Sequence, residues 1–333
     1  MTRLVHQELA GGIATITLDS PSNRNALSTR LLGDLRESLR WALTEPEARV
    51  IVLTGAGPVF CSGADLKEQR ATRAPAASSD DSAPVPPAGP PAGPRAVSPG
   101  VSPGVSPAGS AEASSRDSAD APSGGSTRPS SREWAEAHPG GPADAFAGGS
   151  GAPITASFPE IMALIWESPK PVICRLNGTA RAGGLGLVAA CDFAIAPLTA
   201  SFAFTEVRLG VVPAMIAVPV LRRLAPRAAA EYFLTGEVFD AARAVEIGLL
   251  TRAVPGEDLD TTVEHYARML VKGAPEALAI TKLLVREVPA IGFEAGLRRM
   301  TALSAERFTS EEGREGIAAF MDKRPPRWVP AGE

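Results

Sequence analysis

Apolar residues recur at strand or helix spacing along two separate parts of the chain. Residues 4–9 and 13–18 are rich in β-forming residues and flank Gly11-Gly12, which predicts a β-hairpin. A stripe of apolar residues then predicts a helix over 29–43, with Ser28 as its N-terminal cap. A continuous apolar run at 49–54 indicates a buried strand. The apolar stripe of the helix predicted at 29–43 consists of Leu31, Leu32, Leu35, Leu39 and Ala42.

Residues 177–192 form the central stretch of the chain, in which a glycine-bearing loop leads into an apolar helix. A strand-like run at 171–176 leads into this loop, and another at 193–196 follows the helix. Free backbone N–H groups and the positive end of the helix dipole therefore converge near Gly183. This geometry predicts a site for a negatively charged oxygen.

A second glycine loop, residues 55–68, follows the predicted strand at 49–54 and opens a short helix at Ala64 or Asp65. Each loop can present one backbone N–H to the same oxygen, and the candidates are the amides of Ala64 and Gly183. Small residues suit such positions because the backbone itself must approach the ligand.

From residue 155 onward the pattern becomes mostly helical. A short strand from Ser201 precedes a turn ending at Pro213, and helices are predicted almost without interruption from Met215, with Gly248 as a C-terminal cap. A strand-rich first part and a helix-only last part predict an α/β core with a C-terminal helical layer. The predicted helices span 158–166, 215–224, 227–234, 241–247, 258–271, 275–288, 293–308 and 311–321.

Composition changes abruptly between the two patterned parts. Residues 71–150 hold 14 of the chain's 31 prolines and very few large apolar residues, so this segment cannot bury enough surface to offset its ordering entropy. We predict a core formed by 1–70 and 155–255, a disordered insertion at 71–154, and a C-terminal helical region at 256–333. Trp134 and Phe146 could mark a short binding element within a segment otherwise interpreted as a tolerated linker.

The net charge and the cysteines of the chain argue against several classes of protein. The net charge of −4 and the pI of about 5.6 argue against a nucleic-acid partner that needs a broad basic surface. Cys61, Cys174 and Cys191 form no Cys-x-x-Cys pair, which predicts buried thiols in a reducing compartment. His and Cys do not cluster at metal-ligand spacing, and no apolar stretch reaches about 18 residues. We therefore expect a cytoplasmic protein without a metal or a membrane segment.

Glu206 is the candidate acid/base residue. It ends an apolar run, where desolvation should raise the pKa of its carboxyl group; the alternative is a loop carboxylate that caps the following turn. Gly184 and Gly186, with Glu206 twenty residues further on, also fit a dinucleotide fingerprint. That motif places its glycines directly after a strand, whereas residues 177–182 intervene here, which argues against it.

Five motifs in order resemble the crotonase family, the enoyl-CoA hydratases and isomerases. The resemblance covers about residues 4–70 and 155–325 and leaves out the insertion. The motifs are Phe60-Cys-Ser-Gly-Ala-Asp-Leu-Lys-Glu, Asn177-Gly with Gly183-Gly184 and Ala190-Cys-Asp, Phe204-x-Glu-x-x-Leu-Gly-x-x-Pro, Leu234-Thr-Gly-Glu-x-Phe-Asp-Ala with Gly248-Leu, and Glu315-Gly-Ile-x-Ala-Phe-Met-Asp-Lys-Arg.

The resemblance implies an α/β spiral of ββα repeats whose C-terminal helices pack homotrimers or hexamers. It implies an acyl-CoA substrate, with CoA as part of the substrate and no separate cofactor. The thioester oxygen would lie between the amides of Ala64 and Gly183, and Arg24 and Lys323 would meet CoA phosphates unless they are merely solvated. Substrate contacts are assigned by resemblance to Arg24, Ser62, Gly63, Asp65, Leu66, Gly184, Gly186 and Lys323.

The catalytic residues implied by the resemblance are Ala64, Gly183 and Glu206. Family members that hydrate by the two-glutamate route carry their second glutamate at the position of Gly186. The sequence therefore predicts an enoyl-CoA hydratase with a single catalytic glutamate, similar to bacterial hydratases of branched enoyl-CoAs such as methylglutaconyl-CoA. The alternatives are a Δ3/Δ2 isomerase and a non-catalytic acyl-CoA-binding member.

Overall fold

The first two strands form the hairpin that the sequence predicts. A computed structural model describes residues 3–72 and 154–330, so the predicted insertion lies almost wholly outside the described residues. The hairpin strands pair antiparallel from Val5–Leu18 to Ala10–Ile13. Gly11 and Gly12 turn the chain between them with φ of +55° and +79°, a conformation that glycine adopts without steric cost.

The described residues form ten strands and eleven α-helices. The strands are β1 Val5–Ala10, β2 Ile13–Leu18, β3 Val50–Gly55, β4 Val59–Cys61, β5 Val172–Arg175, β6 Thr179–Arg181, β7 Phe193–Pro197, β8 Ser201–Ala203, β9 Phe239–Asp240 and β10 Arg252–Val254. The helices are α1 Thr29–Thr44, α2 Leu66–Thr72, α3 Ile154–Trp166, α4 Gly183–Ala190, α5 Ala214–Val220, α6 Pro226–Thr235, α7 Ala241–Glu246, α8 Leu259–Val271, α9 Pro275–Glu287, α10 Phe293–Thr309 and α11 Glu311–Met321.

A six-stranded sheet in the order β1-β2-β3-β5-β7-β10 lies at the centre of the core. All neighbouring pairs except β1 and β2 are parallel. Because successive side chains of a strand point to opposite faces, Ile51 and Leu53 pack in the cluster that contains α1 and α3, whereas Val50 and Val52 pack with α8. The α/β fold predicted from the sequence is confirmed. The predicted cap is present as well, because the Ser28 hydroxyl accepts a hydrogen bond from Leu31 N at 3.2 Å at the start of α1.

A second, smaller sheet in the order β4-β6-β8-β9 lies next to the first. Strands β4, β6 and β8 are parallel to one another, and β9 is antiparallel to β8. The sequence analysis missed β4, β6, β9 and β10, and its description of the chain after Met215 as almost wholly helical was wrong. Each missed strand has only two or three residues, too few to produce a period of two in the sequence.

The last two helices bury little of their own surface. Helices α10 and α11 each have a single buried residue, Gly296 and Ala319. Several of their large apolar side chains are exposed instead, among them Phe293, Phe308, Phe320 and Met321.

The three cysteines are free and buried, as the sequence predicts. None of the helices in residues 3–72 and 154–330 combines the length and the apolar character that a membrane-spanning segment requires.

Candidate active site

Three neighbouring parallel strands of the small sheet end at one edge, and each delivers one predicted site residue. Ala64 follows β4, Gly183 follows β6 and Glu206 follows β8, each within three residues of the strand end. Loops after the carboxyl ends of parallel strands are the usual place for ligands in such sheets. The topology therefore brings the three residues to the same edge.

The Ala64 loop is fixed by a bridge to Leu27. Leu27 N donates to Gly63 O at 2.8 Å, and Asp65 N donates to Leu27 O at 3.4 Å, which makes a parallel bridge between Leu27 and Ala64. In a parallel bridge the central residue of the three points its own N–H away from its partner. The Ala64 amide is thus left for another acceptor, as an oxygen-binding role requires.

Gly183 is the first residue of α4, so its N–H has no acceptor within the helix. The preceding residue, Ala182, turns the chain with φ of +46°. The two loops are in direct contact, since a Cβ placed on Gly63 would lie 3.4 Å from Gly183 N. Ala64 follows Gly63 directly and the Gly183 amide lies at the contact itself, so both candidate donors belong to the two loops that meet.

Gly184 and Gly186 have packing roles in this structure. A Cβ on Gly184 would lie 2.9 Å from the Cβ and the carbonyl oxygen of Cys61, so its absence lets α4 approach β4. A Cβ on Gly186 would lie 2.6 Å from Ile216 Cγ2 and 3.1 Å from Met162 Sδ. The space that a second carboxylate side chain would need at Gly186 is therefore occupied by apolar side chains.

Glu206 begins a 3-10 turn, Glu206–Leu209, and is half buried. Its Oε2 is buried and has no hydrogen-bond partner among the described residues. Burial raises the pKa of the Glu206 carboxyl group, and a hydrogen bond from its own backbone N–H opposes the rise. A capping carboxylate would have paired oxygens, so the geometry favours a group left available for a reactant.

Cys61 lies directly behind both loops but is not a nucleophile. Its sulfur accepts from Gly63 N at 3.5 Å, and burial raises the pKa of the thiol to about 12. The thiol therefore stays protonated at neutral pH. In the parts of the chain that the structure describes, no group of three or more His, Cys, Asp or Glu side chains could hold a metal ion.

The remaining predicted substrate contacts surround the Ala64 loop, with one exception. Asp65 caps α2, because its Oδ1 accepts from Lys67 N at 3.0 Å and Glu68 N at 3.2 Å. Ser62 N donates to Arg24 O at 3.1 Å, which places Arg24 beside the loop with an exposed side chain. Leu66 is 55% exposed at the start of α2. Lys323, the exception, is exposed after the end of α11.

Sequence reasoning missed Asn25, which ties the entry of α1 to β4. Its Nδ2 donates to Ala56 O at 3.0 Å and to Val59 O at 2.8 Å, and its Oδ1 accepts from Ser20 N at 2.8 Å. Asn25 is fully buried with φ of +52°, a conformation that asparagine tolerates better than most residues. Asn25 ends the polar run Asp19-Ser-Pro-Ser-Asn-Arg-Asn, which indicates a turn but not these hydrogen bonds.

Comparison with known proteins gives one consistent family. The family model described as "Enoyl-CoA hydratase/isomerase" matches residues 8–83 and 150–330. A carnitinyl-CoA dehydratase of Citrobacter koseri is 29% identical over 334 residues, covering 98% of this chain and 99% of that protein. Enoyl-CoA hydratase domain-containing protein 3 of Danio rerio is 27% identical over 321 residues, covering 96% and 86%.

Solved structures agree with the sequence matches. An enoyl-CoA hydratase of Mycobacterium smegmatis superposes with a TM-score of 0.69 and 26% identity, covering 98% of this chain and 99% of that one. The family match spans both parts of the chain that carry the three site residues. This chain therefore belongs to the enoyl-CoA hydratase/isomerase family, the crotonases.

Proposed function

We propose that this protein hydrates the double bond of a 2-enoyl-CoA thioester with Glu206 as its single catalytic carboxylate. The observation that carries the proposal is the buried, unpartnered Oε2 of Glu206, which lies at the sheet edge where the Ala64 and Gly183 loops meet. Two unoccupied backbone donors and one raised-pKa carboxyl group are the parts needed to form and then protonate an enolate.

The reaction balances with one carboxylate. Ionised Glu206 removes a proton from water as the water oxygen bonds to C3 of the enoyl group. The C2–C3 π electrons move toward the thioester oxygen, where the amides of Ala64 and Gly183 stabilise the negative charge. Protonated Glu206 then donates to C2, which gives a 3-hydroxyacyl-CoA and restores the carboxylate. Loss of one such oxygen-binding donor typically lowers the rate about 10²- to 10³-fold.

Names of relatives support this reaction class. Dehydration is the reverse of hydration and uses the same groups, and several proteins named carnitinyl-CoA dehydratase match nearly the whole chain at about 29% identity.

Isomerisation is the second candidate, and the packing at Gly186 favours it. With Ile216 and Met162 filling that position, Glu206 has no second carboxylate opposite it in α4. One glutamate suffices to take a proton from C2 of a 3-enoyl-CoA and return it to C4, which moves the double bond.

NMR of the purified protein with a trans-2-enoyl-CoA in D₂O separates these possibilities. A 3-hydroxyacyl-CoA product with deuterium at C2 would support the hydratase. Deuterium at C2 and C4 without addition of water would identify an isomerase instead. Neither signal with short, branched and long substrates would overturn both and favour the non-catalytic acyl-CoA-binding alternative.

We also propose that the protein is a cytoplasmic homotrimer or a dimer of such trimers. The exposed apolar residues of α10 and α11 support assembly, because a patch of this kind commonly marks a protein–protein contact. Sedimentation-equilibrium measurements would give the mass directly. A monomer at micromolar concentration would contradict the proposed assembly.

A further inference from the structure

A pocket of about 240 Å³ lies at the amino edge of the six-stranded sheet, and two cations line it. Arg49 directly precedes β3, and Lys170 lies two residues before β5. At their other ends these two neighbouring strands lead, through β4 and β6, to the loops of Ala64 and Gly183. A strand rises about 3.3 Å per residue, so the length of β5 alone separates the pocket from those loops by about 13 Å. The pocket is therefore distinct from the candidate active site.

The walls of the pocket are rigid and poor in backbone donors. Proline has a fixed φ and no backbone N–H, so a wall rich in proline keeps its shape and leaves hydrogen bonding to side chains. The Thr44 hydroxyl in the wall already donates within α1, to the carbonyl oxygens of Arg40 and Trp41. The prolines that line the pocket are Pro46, Pro169, Pro171 and Pro275.

Arg49 and Lys170 keep donors that the fold does not use. Lys170 Nζ donates to two carbonyl oxygens at the end of α1, at 2.7 Å each. Arg49 donates through Nη2 to Gly273 O at 2.8 Å and through Nη1 to Trp328 O at 2.5 Å. These bonds use two of the three N–H groups of an ammonium and two of the five of a guanidinium. The remaining N–H groups have no acceptor among the residues that the structure describes.

The two cations also lack a close counter-charge. Within residues 3–72 and 154–330 neither of them forms an ion pair. Burial lowers the pKa of Lys170, the Glu45 carboxylate partly restores it, and the nearby guanidinium of Arg49 lowers it again. Burial also lowers the pKa of Arg49, against the opposing effect of Glu312. With Glu45 as the acid in its wall, the pocket carries two positive charges and one negative, which favours an anion.

We propose that this pocket binds a small anion of the phosphate class, held by the guanidinium of Arg49 and the ammonium of Lys170. A guanidinium matches two phosphate oxygens at once, and an ammonium adds a compact charge. The pocket is smaller than the about 300 Å³ at which pockets for drug-sized ligands begin, so it suits an anion of few heavy atoms. The bound anion would join the end of α1 to the starts of β3 and β5 and would stabilise the folded chain.

Calorimetric titration of the full chain with inorganic phosphate tests the site without turnover. We expect one phosphate per chain, with the same affinity in the presence and absence of saturating CoA, and a Tm that rises with phosphate at constant ionic strength. Lys170→Met should weaken binding about tenfold or more, because it removes a charged hydrogen-bond donor. Displacement of phosphate by CoA would place the anion at the substrate site, and this result or the absence of binding would overturn the inference.

A second variant leaves both cations and their hydrogen bonds in place. Thr44 is exposed, ends α1 and lines the pocket, so Thr44→Glu should put a carboxylate beside Lys170 and abolish the dependence of Tm on phosphate. Thr309→Glu is the matched control, because Thr309 is exposed, ends α10 and does not line the pocket. Both variants place an acid at a helix C-terminus, which is unfavourable in itself. Full phosphate dependence in Thr44→Glu, or its loss in Thr309→Glu, would contradict the assignment.

Comparison of anions identifies the source of the ligand. Tighter binding of glycerol phosphate than of inorganic phosphate would support the site and indicate a phosphorylated metabolite, whereas equal affinities would support it and indicate free phosphate. A Tm that rises equally with chloride and with phosphate would show general screening of charge, and would overturn the inference. These outcomes do not depend on the enoyl-CoA reaction, so the proposed function can fail while the anion site stands.

Discussion

Two carboxylates in this core have opposite surroundings. Asp192 is only 15% exposed and is paired with the ammonium of Lys282 at 2.6 Å and the guanidinium of Arg286 at 2.8 Å. Its Oδ2 also accepts from Val172 N at 2.8 Å. Glu206, in contrast, has a buried oxygen with no partner among the described residues. One carboxylate is fully satisfied by the fold and the other is left unsatisfied.

The difference separates a structural role from a chemical one. Asp192 joins α9 to the start of β5, and the same cations also contact the C-terminal carbonyls of α3, since Lys282 donates to Ile165 O and Arg286 to Trp166 O. The Asp192 carboxylate is thus held by partners on α9 and β5, and its two cations extend the network to α3, so removing the charge would leave buried cations unpaired. An unpartnered carboxyl group costs stability, and such groups persist where a reactant supplies the missing partner. The comparison predicts that the two residues fail in different ways when they are changed.

Glu206→Gln should show the largest effect, on catalysis. The amide keeps the size of the side chain but cannot accept or return a proton, so we expect the turnover of enoyl-CoA to fall about 10²- to 10⁴-fold. Steady-state assays with matched thermal unfolding check this. Glu257→Gln is the control, because Glu257 lies on another 3-10 turn and is exposed. Retained turnover in Glu206→Gln would make Glu206 a structural residue like Asp192.

Asp192→Asn should instead show its main effect on stability. It leaves Lys282, whose side chain is 6% exposed, and Arg286 without a buried counter-charge, and removal of one partner from a buried pair costs about 3 to 5 kcal/mol. Urea unfolding measures the loss, and activity per folded molecule should stay near that of the wild type. Adding Lys282→Met should recover part of the loss, because the double variant no longer buries that unpaired ammonium. Strictly additive losses would show that the two groups are not coupled.

Gly63→Ala should disturb the contact between the two oxygen-binding loops. The new Cβ would lie 2.9 Å from the Cβ of Ala182 and 3.2 Å from the carbonyl oxygen of Arg181, so the loops must separate. We expect kcat/KM to fall about 10²-fold, as for loss of one oxygen-binding donor. Gly11→Ala is the matched control, since Gly11 also has a positive φ, +55°, but has no atom within 4 Å of the added Cβ. Equal activity in the two variants would show that the contact between the two loops is not needed for catalysis.

The candidate site residues could be predicted from local signals, whereas the scaffold that positions them could not. Ala64, Gly183 and Glu206 stand out as candidates because glycine loops and a carboxylate after an apolar run are visible in a short stretch of sequence. The strands β4 and β6 were missed because each has only three residues, and what holds them in place is pairing between residues distant in sequence, such as Val59 with Thr179. The packing of Ile216 against Gly186 was equally invisible, because it depends on how α5 crosses α4. Candidate site residues can be recognised in short motifs, whereas the strands and helices that position them depend on contacts between residues far apart in the sequence.

Replacing Glu206 should also change the free energy of unfolding, by a small amount that depends on pH. Because burial raises the pKa of the Glu206 carboxyl group in the folded state, the folded protein binds this proton more readily than the unfolded chain. Ionised Glu206 therefore destabilises the fold at neutral pH, and Glu206→Gln should be more stable than the wild type there, by an amount that solvent screening of the half-exposed side chain keeps small. The advantage should shrink as the pH falls through the raised folded pKa and vanish below the unfolded pKa of about 4.3, where the wild type is also neutral. Urea unfolding of both proteins across this range, with Glu257→Gln in parallel, measures the difference. An advantage that grows toward low pH would mean that the fold stabilises the charge of Glu206, which would give it the same kind of role as Asp192.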